Sequence, residues 1–315
     1  PHERSLLASL AYAGGSVGTV TALPISGLLG SILGWPSIFY FSGIVGLAYS
    51  AIWFAVVKDS PEDDPHISPE ELKYIKDSLG RAQNSTNSPI KHPWKKFLTS
   101  MPVWAIVAAH FCEFWGFYTL QTQLPTFLKD VFQFDLSKAG FISSLPYLLM
   151  SIMLMVAGSL SDWIQSSRIL SVTQVRKLFN CGALTLQAGC MALAVYLETA
   201  TGVVLCLVIG TGLEAFAIAS FGVNHLDIAP RHASVLFGIS NTFASISGIV
   251  SPLLTGYIVT DKSPDQWHVV FFISSAIYLL GAVLYGIFAS GEIQAWAVEK
   301  TITTDGVCNK ADSKD

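Results

Sequence analysis

Apolar residues run along this chain in eight long tracts, at roughly 6–30, 36–57, 103–128, 139–163, 175–197, 202–226, 233–257 and 267–290, separated by polar breaks. Each tract is near the length of about 20 residues that a helix needs to cross the hydrocarbon core of a bilayer. In lipid, every backbone N–H and C=O must find its partner within its own segment, so such tracts are predicted to be helices. The expected fold class is all-α, a polytopic membrane protein.

Two tracts carry small residues four apart. Gly14, Gly18, Ala22, Ser26 and Gly30 run down the first, and Ser240, Ala244, Gly248 and Pro252 down the seventh. Rows of this kind let helix backbones approach closely, and the one on the seventh is expected to line an open lateral groove. The second tract opens with Trp35 and then Ile38 to Ser42, and the eighth repeats that spacing with Trp267 and then Val270 to Ser274. Pro24 with Gly27 likewise echoes Pro252 with Gly256. Matching units six helices apart predict a duplicated six-helix half.

Composition agrees with the pattern, since 51% of the residues are hydrophobic and 13% charged, the balance of a membrane chain. The position of the charge says more than its sum. With both termini in the cytosol, fifteen of the eighteen Lys and Arg fall on the inner side and only Lys129, Lys138 and Lys262 outside, which fixes the orientation by the positive-inside rule. No basic patch is interleaved with aromatics, so nucleic acid is not a partner. Cys112, Cys181, Cys190, Cys206 and Cys308 show no metal-ligand spacing, and neither a metal nor a cofactor is implied.

Polar chemistry at membrane depth is sparse. His110 and Glu113 lie three apart in the third tract, followed by Phe117 and Tyr118, and Glu214 sits in a glycine-rich part of the sixth. A carboxyl at the bilayer centre is costly, so Glu113 and Glu214 should face protein or a water-filled cavity. With His110 they are candidates for carrying a coupling proton or cation. Asn224, His225 and Asp227 end the sixth tract and read as a hinge, whereas Asn241 is the candidate for a substrate hydrogen bond. The fifth tract reads as filler with Gln187 as its interior amide. The polar tail after Glu299 is expected to be without structure.

The string NHLDIAP from Asn224 to Pro230, with RHASVLFGISNTFASISGIVSP after it, resembles the organic and phosphate anion transporter family of the major facilitator superfamily. That family contains sialin, the vesicular glutamate transporters and the type I sodium-phosphate cotransporters. Sialin-like members look nearest, on FGISNTFASISG, on SSLPYL from Ser143 and on HPWKKFLTSMPVWAIVAAHF from His92. The resemblance implies a major facilitator fold with eight of its twelve helices in this sequence, which is then expected to be a fragment. Residues 1–57 would be the last two helices of the first half, 58–102 the cytosolic loop between halves, 103–290 the second half and 291–315 a cytosolic tail. Within the loop, Ser68-Pro69-Glu70-Glu71 predicts a helix start, and Asn84-Ser85-Thr86 fits a glycosylation acceptor on the wrong side of the membrane.

The implied activity is secondary transport of a small anion, an acidic sugar such as sialic acid, an acidic amino acid or phosphate, coupled to H+ or Na+ by alternating access in a lysosomal, vesicular or plasma membrane. Tyr118 and Tyr147 match cavity positions of the family, with Phe117 beside them. Glu113 stands where the glutamate-transporting relatives have an Arg, which makes glutamate a poor substrate. Gly158 to Trp163, with Asp162, followed by Arg176 resembles the superfamily's charged loop signature, a latch between Asp162 and Arg176. The alternatives are a polytopic membrane enzyme that uses His225 with Asp227 as a base pair, or a receptor-like membrane protein.

Overall fold

The computed structural model describes residues 4–58, 60–65, 67–75, 92–197, 199–298, 300–303 and 306–309. Eight long helices take the places of the eight tracts: α1 Arg4–Ile32, α2 Pro36–Val56, α3 Met101–Phe132, α4 Leu136–Ser166, α5 Val172–Ala194, α6 Ala200–Ile228, α7 Ala233–Ile258 and α8 Pro264–Phe288. Their starts follow from local chemistry. Proline opens α2, α3 and α8 in the first turn, where no backbone donor is needed. Asp135 accepts the Lys138 N–H at 2.8 Å at the head of α4, Ser171 and Gln174 form a reciprocal capping box on α5, and Thr199 caps α6.

Six helices are long and apolar enough to cross a membrane: α2, α3, α4, α6, α7 with the turn before it, and α8. In α1 the apolar stretch is Val17–Ile32, and α5 falls short because Gln174, Arg176, Lys177 and Asn180 fill its first turns.

The chain divides into two compact units, one of Pro1–Gly14 with Leu28–His92 and one of Gly15–Gly27 with Pro93–Asp315. In the first, no residue of α2 is buried, although the helix is apolar all round. Ser68 accepts the Glu71 N–H at 3.1 Å, which opens the expected short helix over 69–75. The Asn84 acceptor lies outside the described residues.

The second unit is a bundle in which α3 packs against α4, α6, α7 and α8, α5 against α6 and α8, and α4 against α6. Apolar clusters close it at both ends of α3, around Leu128, Phe127 and Trp267 at one and around Phe97, Ile106, Phe221 and Tyr285 at the other. Between them the burial is inverted. Met155, Leu186, Leu253 and Ile287 are exposed, whereas Arg176, Glu113, Glu214, Gln187 and Asn224 are buried. Apolar surface outside and polar groups inside suit a bilayer as the solvent, and the chain is a multi-pass membrane protein.

The α1 row is displaced from its expected face and the α7 row holds it only in part, for one geometric reason. At 3.6 residues per turn, a row of strict four-residue steps winds about 40° per step and cannot stay on one face. On α1, Gly14, Gly18 and Ala22 are exposed and Gly27 is buried. A Cβ on Gly27 would stand 2.8 Å from the Leu136 carbonyl oxygen, and one on Gly140 would stand 2.7 Å from that of Leu23. The contact row is thus Leu23 and Gly27 against α4. On α7 the buried row is Ser240, Ala244, Ser247, Ser251 and Thr255. It does not line an open groove, because α3 covers it: Thr119 and Ser251 share a 2.9 Å hydrogen bond, and a Cβ on Gly248 would meet the Tyr118 ring at 3.0 Å.

The matched tryptophans differ in surroundings. Trp35 is exposed beside α2, while Trp267 is buried with its ring 5.4 Å from that of Phe127. After α8 the chain folds back across helix ends, as Gly291 N–H donates to Thr173 Oγ1 at 2.8 Å and Gln294 N–H to the Ile228 carbonyl at 2.9 Å. Beyond Glu299 the expected lack of structure is corrected by a hairpin of Lys300–Thr303 paired antiparallel with Gly306–Asn309. Thr301, Ile302, Thr303 and Val307 supply the β-branched residues that favour it.

Candidate functional site

One helix, α3, aims most of the chemistry inward, because His110, Glu113 and Phe117 recur at three- and four-residue spacing. Glu113 is fully buried, and Gln187 of α5 donates its Nε2–H to Oε1 at 2.9 Å. Oε2 of Glu113 and Oε1 of Glu214 on α6 have no partner among the described residues. The Tyr278 hydroxyl of α8 occupies the space that a side chain on Gly116 would need, within electrostatic reach of Glu113, Glu214 and Tyr147. A small cavity bounded by Leu120, Gln187, Thr211 and Tyr278 adjoins the group. Arg176 is the one buried Lys or Arg among the described residues, and it is engaged elsewhere. Two acids held in such a place, with an amide and hydroxyls as company, can exchange a proton or pair with a small cation.

Beside them lies an aromatic group. The Phe117 ring packs 5.4 Å from Phe114, 5.4 Å from Tyr118 and 5.8 Å from Tyr147. The Tyr147 hydroxyl is buried without a partner among the described residues, and Tyr118 is half-buried. Three of the four expected substrate residues therefore meet. The fourth, Asn241, is exposed on α7 beside Thr242 and Ser245.

The other candidate coupling group, His110, points at a different partner. Its Nδ1 lies 3.0 Å from Ser240 Oγ, and His225 Nε2 approaches the same oxygen at 2.9 Å. His225 and Asp227 do not form a pair, since Asp227 turns to α5 while His225 turns to α7. The base pair that an enzyme reading requires is not formed.

The charged latch forms with another acid than expected. Arg176 Nε donates to Asp227 Oδ2 at 2.7 Å, and Nη2 to Oδ1 at 3.3 Å. Nη1 donates to Ser161 Oγ and to the Ala219 carbonyl, each at 3.2 Å. Asp162 is exposed, because its neighbour Ser161 holds the inward position at this turn of α4. Asn224 extends the latch: its Nδ2 donates to Asp227 at 3.1 Å and to the Ser290 carbonyl at 2.9 Å, and it accepts the Tyr285 hydroxyl at 3.0 Å. Four helices are thereby tied at one end of the bundle.

Helix α5 is not filler. Arg176, Asn180 and Gln187 stand four and seven residues apart, hence on one face, and all three are buried. That polar row on an apolar helix was the signal for Gln187. Tyr278 and Tyr285 gave none, since they lie among other apolar and aromatic residues.

The profile of the Major Facilitator Superfamily matches residues 1–252. Vesicular glutamate transporter 1 of Xenopus laevis is 43% identical over 310 residues, 98% of this chain and 54% of that protein. Human vesicular glutamate transporter 2 is 42% identical over 299 residues, 94% of this chain and 51% of that protein. The chain thus spans about half the length of these relatives. Among solved structures, a bacterial homolog of the human lysosomal transporter Spinster, inward-facing and unoccupied, aligns with 90% of this chain and 72% of its own at a TM-score of 0.54 and 16% identity, a likeness of fold. With the profile spanning most of its sequence and the same helical architecture, the chain belongs to the Major Facilitator Superfamily.

Proposed function

We propose that this chain supplies the larger part of a secondary carrier for a small organic or inorganic anion, coupled to H+ or Na+ and working by alternating access. Residues 1–57 would close one six-helix half, 58–102 link the halves, 103–290 form the other half, and 291–315 follow as a tail, with both termini cytosolic. The relatives' names favour an anionic substrate and a vesicular membrane. The observation that carries the reading is the two buried acids, Glu113 and Glu214, each with one oxygen lacking a partner among the described residues, beside the Phe117–Tyr118–Tyr147 group in a membrane bundle.

The division of labour follows from charge. Glu113 replaces the Arg implied for the glutamate-transporting relatives, and Arg176 is committed to Asp227. The bundle of residues 93–298 therefore carries the coupling groups and aromatic walls, and the counter-charge for the anion comes from outside it. Uptake of labelled sialic acid, glutamate and phosphate by the protein at its full natural length, in vesicles with an imposed pH or sodium gradient, tests this. Uptake of one anion, driven by one gradient and lost in Glu113→Gln, is expected. No gradient-driven uptake of any anion would refute it.

A further inference from the structure

Ser240 lies at a three-way junction. Its Oγ is 3.0 Å from His110 Nδ1 of α3, 2.9 Å from His225 Nε2 of α6 and 3.0 Å from the Phe237 carbonyl one turn back on α7. All three side chains are buried, and His225 Nδ1 is a buried nitrogen without a partner among the described residues. Phe114, Phe221 and Phe237 enclose the His110 ring, with centroids at 4.7, 4.9 and 5.8 Å. A serine hydroxyl has one hydrogen to give and two lone pairs to receive with, while each neutral imidazole gives through one nitrogen and receives through the other. The same heavy-atom positions therefore admit several hydrogen arrangements. In one, the hydroxyl donates to Phe237 and both rings donate to Oγ. In the others it donates to one ring and receives from the other.

We propose that His225, Ser240 and His110 form a proton relay across α6, α7 and α3, from one buried ring to the other, which rests on the carrier reading above. A proton added at His225 Nδ1 releases the Nε2 proton to Ser240 Oγ, as the Oγ proton passes to His110 Nδ1. The added charge thus ends on His110 as an imidazolium, and the reverse transfers return it to His225. One proton moves from ring to ring, with one N–H bond broken for each one formed. The other charged group within electrostatic reach of the junction is Asp227 on α6, whose carboxylate turns to Arg176 of α5. On α7 the junction is faced by Ser240, and α8 contributes Tyr285 through Asn224.

Ser240→Ala and Ser240→Thr decide between a relay and simple packing, tested at full natural length in proteoliposomes. The relay predicts that Ser240→Ala lowers uptake driven by a proton gradient at least tenfold while leaving exchange of labelled for unlabelled anion within twofold, and that Ser240→Thr restores drive. Parallel loss of drive and exchange, or retention of both, would overturn it. A second readout needs no transport: pH-induced infrared difference spectra of protein with labelled histidine rings. The relay predicts that His110 and His225 change together in a single step that splits into two in Ser240→Ala, and two steps in the unaltered protein would count against it. A protein that shows this single step without moving any anion keeps the relay and loses the carrier reading.

Discussion

At the scale of residues, the structure turns on which partner each buried charge takes. Arg176, expected to pair with Asp162, binds Asp227 on the neighbouring helix instead, with Asp162 left at the surface. Removing one member of a buried pair costs about 3–5 kcal/mol, because the other charge is stranded, whereas surface changes usually stay within about 0.5 kcal/mol. Asp227→Asn is therefore expected to lower stability by roughly 3 kcal/mol and Asp162→Asn to leave it unchanged, read by denaturant unfolding in detergent. Equal effects would return the latch to Asp162. Gln187→Leu removes the donor to Glu113 Oε1 and is expected to cost about 1–3 kcal/mol in the same assay, a loss that Gln187→Asn should share if reach matters as much as chemistry.

The elements show how far a sequence reaches. All eight helices, the cap at Ser68 and the inward acids of α3 and α6 were legible, since apolar length and isolated charges in it are local signals. Faces were not. The four-residue rows on α1 and α7 looked like interfaces, but the winding of the helix carries such a row off one face: the contacts fell on Leu23 with Gly27 on α1, and on α7 the buried row passes from Ser240 and Ala244 to Ser247 and Ser251. Partners were also hidden: nothing local says that Ser240 meets two histidines or that Tyr278 fills the space above Gly116, because those depend on how helices dock. The α1–α4 contact offers a clean test. Gly140→Ala puts a methyl 2.7 Å from the Leu23 carbonyl oxygen, while the Cβ of Gly18→Ala meets nothing within 4 Å. Gly140→Ala is expected to lower the thermal midpoint by several degrees, on the order of 1–3 kcal/mol, and Gly18→Ala to leave it unmoved. The reverse order would mean that α1 meets α4 along its glycine row after all.

For the whole molecule, burial is inverted relative to a water-soluble bundle, and the polar interior is not evenly spread. It runs from the Arg176–Asp227–Asn224 network at one helix end, through the histidine junction, to Glu113, Glu214 and the tyrosines further in. A structural polar core needs no access from outside. A carrier's core must be reachable from each side of the membrane in turn. The decisive measurement is labelling of Tyr118→Cys, in a form with the five native cysteines replaced, by a membrane-impermeant thiol reagent applied from one face or the other. Alternating access predicts labelling from both faces, with the balance shifted when substrate or an ion gradient is imposed. Labelling from one face alone under every condition, or from neither, would contradict it.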